Sequence, residues 1–533
     1  MLLGAAVAVY VGWLTRFGGP TMFDPDEHAS ALYFDRLVHG RQLEQIVFST
    51  PKPLLTLVHG LGWMLFHDWR VGAVLTVAAF AVAVVTFART AARVSGPVAA
   101  VLTVLLFLGW ADWSLQVARG NSVIWVLACW GVAADGLVAR GRSPAASTPV
   151  PAPASDGSAG TLSPIADRPN APLASAAAGP RWGIASVALL LAGLARGETW
   201  LLLPVPVLFG LLAWRRGDRR GLLLLLALLA PALWLLHDEL LSGSALFSMH
   251  IPSAYTDVYP PGRRVIPLQR WVRRFLRSYS HDRAATLMTT SAALGAVFLL
   301  LRRRAVGLVL AAGALFAGVW ALLGRYAAEG VYISPRFFLL PDLALRGLAV
   351  FGLAVPLDLL LNRLRKERRV VRLGVTGLSV MIGAVAFSLL LWPLTPVDDA
   401  YRMARENGTH RSQIAAAAVQ ALGPVADEDG TVLLVPSLIR NRIAVELDLP
   451  LTRVRDDLLT VKVRKGQRFD QQLVRVLPSV DAVVVDAHDA RYAPLMVSAP
   501  TRFGADTIVP LRVDQSIGVY VLQVRHGRAE VTS

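Results

Sequence analysis

The chain has 533 residues, of which 54% are hydrophobic and only 17% charged, with a mean hydropathy of +0.51; a soluble protein of this size carries nearer a quarter charged residues. Its net charge is +16, yet the arginines gather in short loops between apolar runs, a pattern of membrane orientation that excludes a nucleic-acid groove, and no nucleic-acid partner is expected. The one cysteine, Cys129, falls inside an apolar run, which excludes an internal disulfide and a thiolate metal centre.

The apolar runs are long enough to cross a bilayer core of about 30 Å. Read in chain order they predict eleven spans, at about 1–18, 71–88, 98–115, 121–138, 183–196, 199–214, 221–237, 285–301, 305–323, 337–361 and 373–392. Met1 to Leu14 has neither a basic n-region nor a small-residue cleavage site, so it reads as a retained helix and not a signal peptide. The runs 183–196 and 199–214 are read as two spans hinged at Arg196-Gly197-Glu198. That choice puts Arg89 and Arg93, Arg140, Arg142 and Arg181, Arg215 to Arg220, Arg302 to Arg304, and Arg363 to Arg372 all on one side. Positive-inside then predicts a cytoplasmic N-terminus and an extracytoplasmic C-terminus, in a cell (inner) membrane.

The predicted architecture is an all-α polytopic membrane domain over 1–394, followed by a small extracytoplasmic α/β domain over 395–533. The segment 141–180 is rich in Pro, Ala and Ser and reads as a disordered cytoplasmic insert. Outside lie a first loop at 19–70, a long loop at 238–284, and the C-terminal domain. In that domain a helical stretch from Arg411 to Leu422 and apolar runs at 431–435, 482–486 and 518–524 predict a helix and strands.

The first loop opens with Phe23-Asp24-Pro25-Asp26-Glu27-His28. Carboxylates this close repel one another and require a counter-charge, a metal or a shared proton. They suit a general base that activates an acceptor hydroxyl, with a neighbouring carboxylate orienting it or holding a cation. The alternative is a solvated helix N-terminus, where Asp and Glu are favoured. From His28 to Leu43 the pattern predicts an amphipathic helix, with Leu32, Leu37 and Val38 apolar, lying along the membrane interface.

Ser49-Thr50-Pro51-Lys52-Pro53-Leu54 then opens an apolar stretch to Phe66 that is too short to span. Lysine occurs only at 52, 366, 462 and 465, and every other one of the 53 basic residues is arginine. A lysine fixed between prolines at the bilayer surface is a point charge suited to a phosphate; the alternative is a snorkelling interfacial lysine.

This order of elements resembles the GT-C glycosyltransferase superfamily, which includes the protein O-mannosyltransferases and the bacterial aminoarabinose transferase. The likeness rests on a carboxylate motif after the first helix, an amphipathic helix, and a Lys-Pro motif opening a half-membrane helix. Actinobacterial-type members add three resemblances: Leu194-Ala195-Arg196-Gly197-Glu198-Thr199-Trp200-Leu201, the stretch from Trp234 to Ser248, and Ser334-Pro335-Arg336-Phe337-Phe338-Leu339-Leu340-Pro341. Together these cover about residues 1–395. The chain departs from the pattern where Thr50-Pro51-Lys52-Pro53 replaces a His-x-Pro-Pro element, and where Gly197 replaces proline.

The resemblance implies an inverting hexosyl or pentosyl transferase whose donor is a sugar on polyprenyl phosphate. Its acceptor is an envelope glycan, a glycolipid or a protein. Asp26 would be the base, with Glu27 and Asp24 beside it; Lys52 and Arg336 would contact the lipid phosphate. From the residues alone, Arg119, Arg196, Glu198 and His250 are further candidates to line the site, with Asn121 and Tyr255 nearby. For Arg196 and Glu198 a structural ion pair is an equal alternative. The basic loop around Arg270, Arg273, Arg274 and Arg277 suits an interfacial helix on anionic headgroups. No organic cofactor is implied, and a divalent cation stays open. The sequence contains no phosphate-cradling glycine loop, metalloprotease His pair or nucleophile elbow. Two rivals remain: a transporter, against which the placing of charges at helix ends argues, and a non-catalytic scaffold or lipid-binding protein.

Overall fold

The computed structural model describes residues 25–43, 47, 49–68, 70–110, 113, 116, 117, 119–138, 180–258, 265–301, 305–331, 333, 335–366, 385, 398–426, 428, 430–457, 469–503 and 505–526. The predicted spans at 1–18 and 373–392, the insert at 141–180 except its last residue, and the basic residues 302–304 lie outside this set.

Helices in chain order are α1 (Pro25–Val38), α2 (Pro53–Phe66), α3 (Arg70–Ser95), α4 (Pro97–Gly109), α5 (Ser122–Val138), α6 (Trp182–Ala195), α7 (Pro204–Arg215), α8 (Leu229–Ser242), α9 (Phe247–Val258), α10 (Leu268–Ser280), α11 (Arg283–Leu301), α12 (Val306–Glu329) and α13 (Leu339–Lys366). Short 3₁₀ turns at Gly197–Leu202, Arg219–Leu228 and Pro335–Phe338 lead into α7, α8 and α13. Helices α2, α4 and α7 start on proline, where the missing N–H costs nothing. Helices α8 and α12 stop at left-handed Gly243 and Gly330, with φ of 68° and 72°.

Among the described residues, six helical stretches are long and apolar enough to cross a membrane: Val71–Ser95, Gly197–Arg215, Arg219–Ser242, Arg283–Leu301, Val306–Glu329 and Leu339–Leu361. Four shorter apolar helices, α2, α4, α5 and α6, stand among them. Each predicted span within the described residues coincides with one of these helices. The chain is a multi-pass membrane protein.

The helix ends sort into two groups. At one end Arg93 donates to Asp135 (2.6 Å), Arg181 N–H to the Gly136 carbonyl (3.0 Å), and Trp182 Nε1 to Asp218 (2.8 Å). At the other, Leu43 N–H meets the Leu241 carbonyl (2.7 Å) and Ile266 N–H that of Ala327 (2.8 Å). Alternating passes account for this sorting, including the break at Arg196. The membrane core joins α3, α4, α5, α11, α12 and α13 around Phe80, Phe107, Ile124, Met288, Leu323 and Ala349.

The C-terminal unit comprises α14 (Asp398–Ala426), β1 (Leu433–Val435), α15 (Arg440–Glu446), β2 (Val454–Asp456), α16 (Phe469–Val476), β3 (Ala482–Asp486), β4 (Thr501–Phe503), β5 (Asp506–Asp514) and β6 (Val519–Arg525). They form one sheet in the order β2-β1-β3-β6-β5-β4. Strands β2, β1 and β3 are parallel; β6, β5 and β4 are antiparallel. Along β3, Ala482 and Val484 face one core with α14 and α15, while Val483 and Val485 face another with α16. That alternation covers both faces of the strand.

One expectation is corrected. Helix α1 was predicted to extend to Leu43. It stops at Val38, before Gly40 (φ 61°), and buries Ala29, Leu32 and Tyr33 in a single core with Ile439, Ile443 and Leu451 of the C-terminal domain. Arg36, 2% exposed, donates to the Leu449 carbonyl (3.3 Å).

Candidate functional site

Lys52 caps α2 in an extended conformation (φ −132°, ψ 100°), as a residue before proline prefers. Its carbonyl accepts from Thr56 N–H (2.8 Å), which starts the helix. Leu55, one turn into α2, is fully buried against Val126 of α5 and Ala195 of α6. The Lys-Pro motif is thereby held where α5 begins and α6 ends. Tyr33 of α1 donates its hydroxyl to the Ser49 carbonyl, tying the approach to Lys52 onto α1.

At the same place α6 breaks. Arg196 is extended (φ −155°, ψ 131°), and its guanidinium grips Glu198 through Nη2 (2.6 Å) and Nε (3.2 Å). Nη1 reaches Ser122 Oγ at 3.5 Å, and the guanidinium lies 5.7 Å from the Phe337 ring centroid. Arg196 is 6% exposed and Lys52 8%, and the Lys52 ammonium is near enough to act electrostatically on Glu198. Tyr326, late in α12, lies within electrostatic reach of the same pair. The structure thus brings together Lys52, Arg196 and Glu198, three of the residues singled out from sequence. The Arg196 fork is satisfied by Glu198, and the Lys52 ammonium beside the pair is a point charge of the type suited to phosphate oxygens.

The other candidates divide. Asp24 lies outside the described residues. Asp26 and Glu27 stand in the first turn of α1, and Arg336 in the turn before α13, beside Phe337; their side chains lie outside the described set, as does that of Tyr255. Arg119 is half-buried, with no hydrogen bond or ion pair among the described residues. Asn121 caps α5, its Oδ1 accepting from Val123 N–H (3.1 Å). His250 is exposed on α9, without a described contact to the cluster. Within the Trp234 to Ser248 stretch, buried Asp238 accepts from the Ser248 amide and hydroxyl (2.8 Å each), and Trp234 Nε1 donates to Ser248 Oγ (3.0 Å). That motif locks the turn between α8 and α9.

A second buried polar group escaped the sequence reading. In the first turns of α13, Asp342 (3% exposed) accepts from the Tyr279 hydroxyl (2.9 Å), which accepts in turn from Trp320 Nε1 (3.0 Å). Arg346 (1% exposed) lies 4.2 Å from the Trp110 ring centroid. The signal was an aspartate and an arginine four apart inside an apolar span, where charge is costly. Among the described residues, the His, Asp and Glu side chains close enough to share a cation are His410, Asp486 and His488 of the C-terminal domain.

No family model matches the sequence, and no curated protein matches it either. Solved structures do. ArnT from Cupriavidus metallidurans bound to undecaprenyl phosphate superposes with a TM-score of 0.53 at 12% identity, covering 99% of this chain and 98% of that one. The apo form of the same protein gives 0.50 at 13% identity, covering 99% and 97%. At such identity the likeness concerns the fold alone, which this chain shares with ArnT over nearly its whole length.

Proposed function

We propose that this chain is an inverting membrane glycosyltransferase that moves a sugar from a polyprenyl-phosphate donor to an extracytoplasmic acceptor. The observation that carries the reading is the convergence of Lys52 with the Arg196–Glu198 pair and Phe337, in a fold whose ArnT relative was crystallised with undecaprenyl phosphate. A fixed cation such as Lys52 stabilises charge only where that charge develops. Here that is the phosphate of the leaving lipid.

In this reading the acceptor hydroxyl attacks the anomeric carbon from the face opposite the lipid phosphate. Asp26 takes the hydroxyl proton, the new glycosidic C–O bond forms, and the bond from the anomeric carbon to the phosphate oxygen breaks. Lys52, with Arg336, receives the charge left on the phosphate. Glu27 and Asp24 orient Asp26 or hold a cation beside it. Arg119 and His250 belong to the acceptor side. The N-terminus is cytoplasmic, and the first loop and C-terminal domain are extracytoplasmic.

Purified Asp26→Ala and Lys52→Ala proteins, assayed for transfer from sugar-loaded polyprenyl phosphate, test these roles. Losing a general base costs about 10²–10⁴-fold in rate. Transfer by Asp26→Ala at the wild-type rate would remove Asp26 as the base.

A further inference from the structure

The C-terminal domain gathers three metal-ligating side chains. His410 lies midway along α14, Asp486 ends β3, and His488 follows two residues later. His410 Nε2 lies 3.1 Å and His488 Nδ1 3.2 Å from the same oxygen, Asp486 Oδ1. The two rings stand edge to face, with centroids 4.3 Å apart. Tetrahedral zinc, with ligands at about 2.0–2.2 Å, sets its donors about 3.3–3.6 Å from one another. All three ligand atoms lie within 4.8 Å of one another, so side-chain adjustment alone brings them to one ion.

The surrounding backbone is shaped for the rings. His488 N–H also donates to Asp486 Oδ1 (2.9 Å), curling the loop back on the strand end. Gly518, at φ +66°, passes beneath it, and a Cβ there would stand 3.2 Å from His488 Cε1. The neighbouring His526 behaves differently: its Nδ1 meets Asp506 (3.1 Å) and its Nε2 meets Asp481 (3.6 Å). Opposite ring nitrogens facing separate carboxylates bridge them and cannot chelate one ion.

We propose that His410, Asp486 and His488 bind a divalent first-row transition metal, with zinc the best match to two imidazoles and one carboxylate. Calcium and magnesium favour shells built from oxygen, which this set does not supply. Three protein ligands leave a fourth position. His488 is 72% exposed, so that position opens to solvent and takes water or an anionic ligand. The site sits at the carboxyl end of β3, where sheets of parallel strands place their ligands. A metal there fastens α14, the helix that leads into the domain, to the sheet.

The test uses full-length protein in detergent with any affinity tag removed, stripped with EDTA, dialysed against zinc and desalted. Metal analysis is expected to find about one zinc per chain, and at least a tenfold loss in His488→Ala. That residue is exposed, so its replacement leaves the fold intact; His410→Ala is expected to behave alike. Zinc should slow hydrogen exchange in residues 398–426 of the wild type and not of His488→Ala. The proposal is overturned if the wild type keeps no zinc, if both histidine variants keep it in full, or if magnesium displaces it at equal concentration. It is equally overturned if zinc is lost from an Asp26→Asn protein and retained by His488→Ala.

Discussion

Arg196 and Glu198 form a bidentate pair in the membrane domain, with Arg196 6% exposed and Glu198 20%. Removing one partner of such a pair strands the other charge in a poor dielectric, at a cost of about 3–5 kcal/mol. Arg196→Ala is therefore expected to lower the unfolding temperature of the purified protein markedly, while Arg196→Ala with Glu198→Gln recovers part of the loss. An unchanged melting temperature in the single variant would show that water reaches the pair freely. Lys52 was legible in sequence because a lone lysine between prolines breaks the arginine habit of the chain. The Tyr279–Asp342 bond was not, since residues 63 apart meet only once α10 folds over α13.

In the C-terminal domain, Asp457 is 4% exposed. Burial, reinforced by the adjacent Asp456, pushes its carboxyl from 3.8 up to about 6, even though Ser437 N–H (2.8 Å) and the Tyr492 hydroxyl (3.1 Å) donate to it. The folded form therefore holds this proton more tightly than the unfolded chain does. Its contribution is most favourable below about pH 4, is lost as pH rises from about 4 to 6, and is level above that. Asp457→Asn, which mimics the protonated group, should raise the unfolding temperature at pH 7.5 and leave it nearly unchanged at pH 4. An equal gain at both values would refute the account.

Among the elements, α11 and α13 cross at direct backbone contact. A Cβ at Gly295 would stand 2.0 Å from the Leu348 carbonyl oxygen, and one at Gly352 2.0 Å from that of Ser291. Small residues allow this approach in membranes, where close packing replaces the hydrophobic drive between helices. Gly295→Ala forces the pair apart, with an expected loss of about 1–3 kcal/mol, measurable as a lower denaturation midpoint in detergent. Gly313→Ala on α12, where a Cβ meets nothing within 4 Å, serves as the control. Strand β5 shows why part of the sheet was illegible. Pro510 interrupts its sequence pattern and reads as a strand breaker, but the ladder absorbs it in a register shift between Pro510 and Arg512. The apolar run of β3 could be read directly because both of its faces are buried.

At the scale of the whole molecule, the first loop and the C-terminal domain share one hydrophobic core, from Leu32 and Tyr33 through Leu241 to Ile443. That core joins two segments more than 400 residues apart in sequence. The membrane helices were readable because apolar length and arginine placement are local signals. The docking of α1 was not, because its apolar face reads alike for lipid and for protein. The site is partly legible in the same way: its cations stand out along the chain, whereas their convergence depends on the fold.

The central claim is transfer of a sugar from a polyprenyl phosphate. Lipid analysis of a strain lacking this chain tests it most directly. The account predicts that one polyprenyl-phosphate sugar accumulates while one envelope glycan linkage disappears, and that wild-type protein but not Asp26→Ala reverses both. A strain with unchanged polyprenyl-phosphate sugars and an intact set of glycan linkages would contradict it.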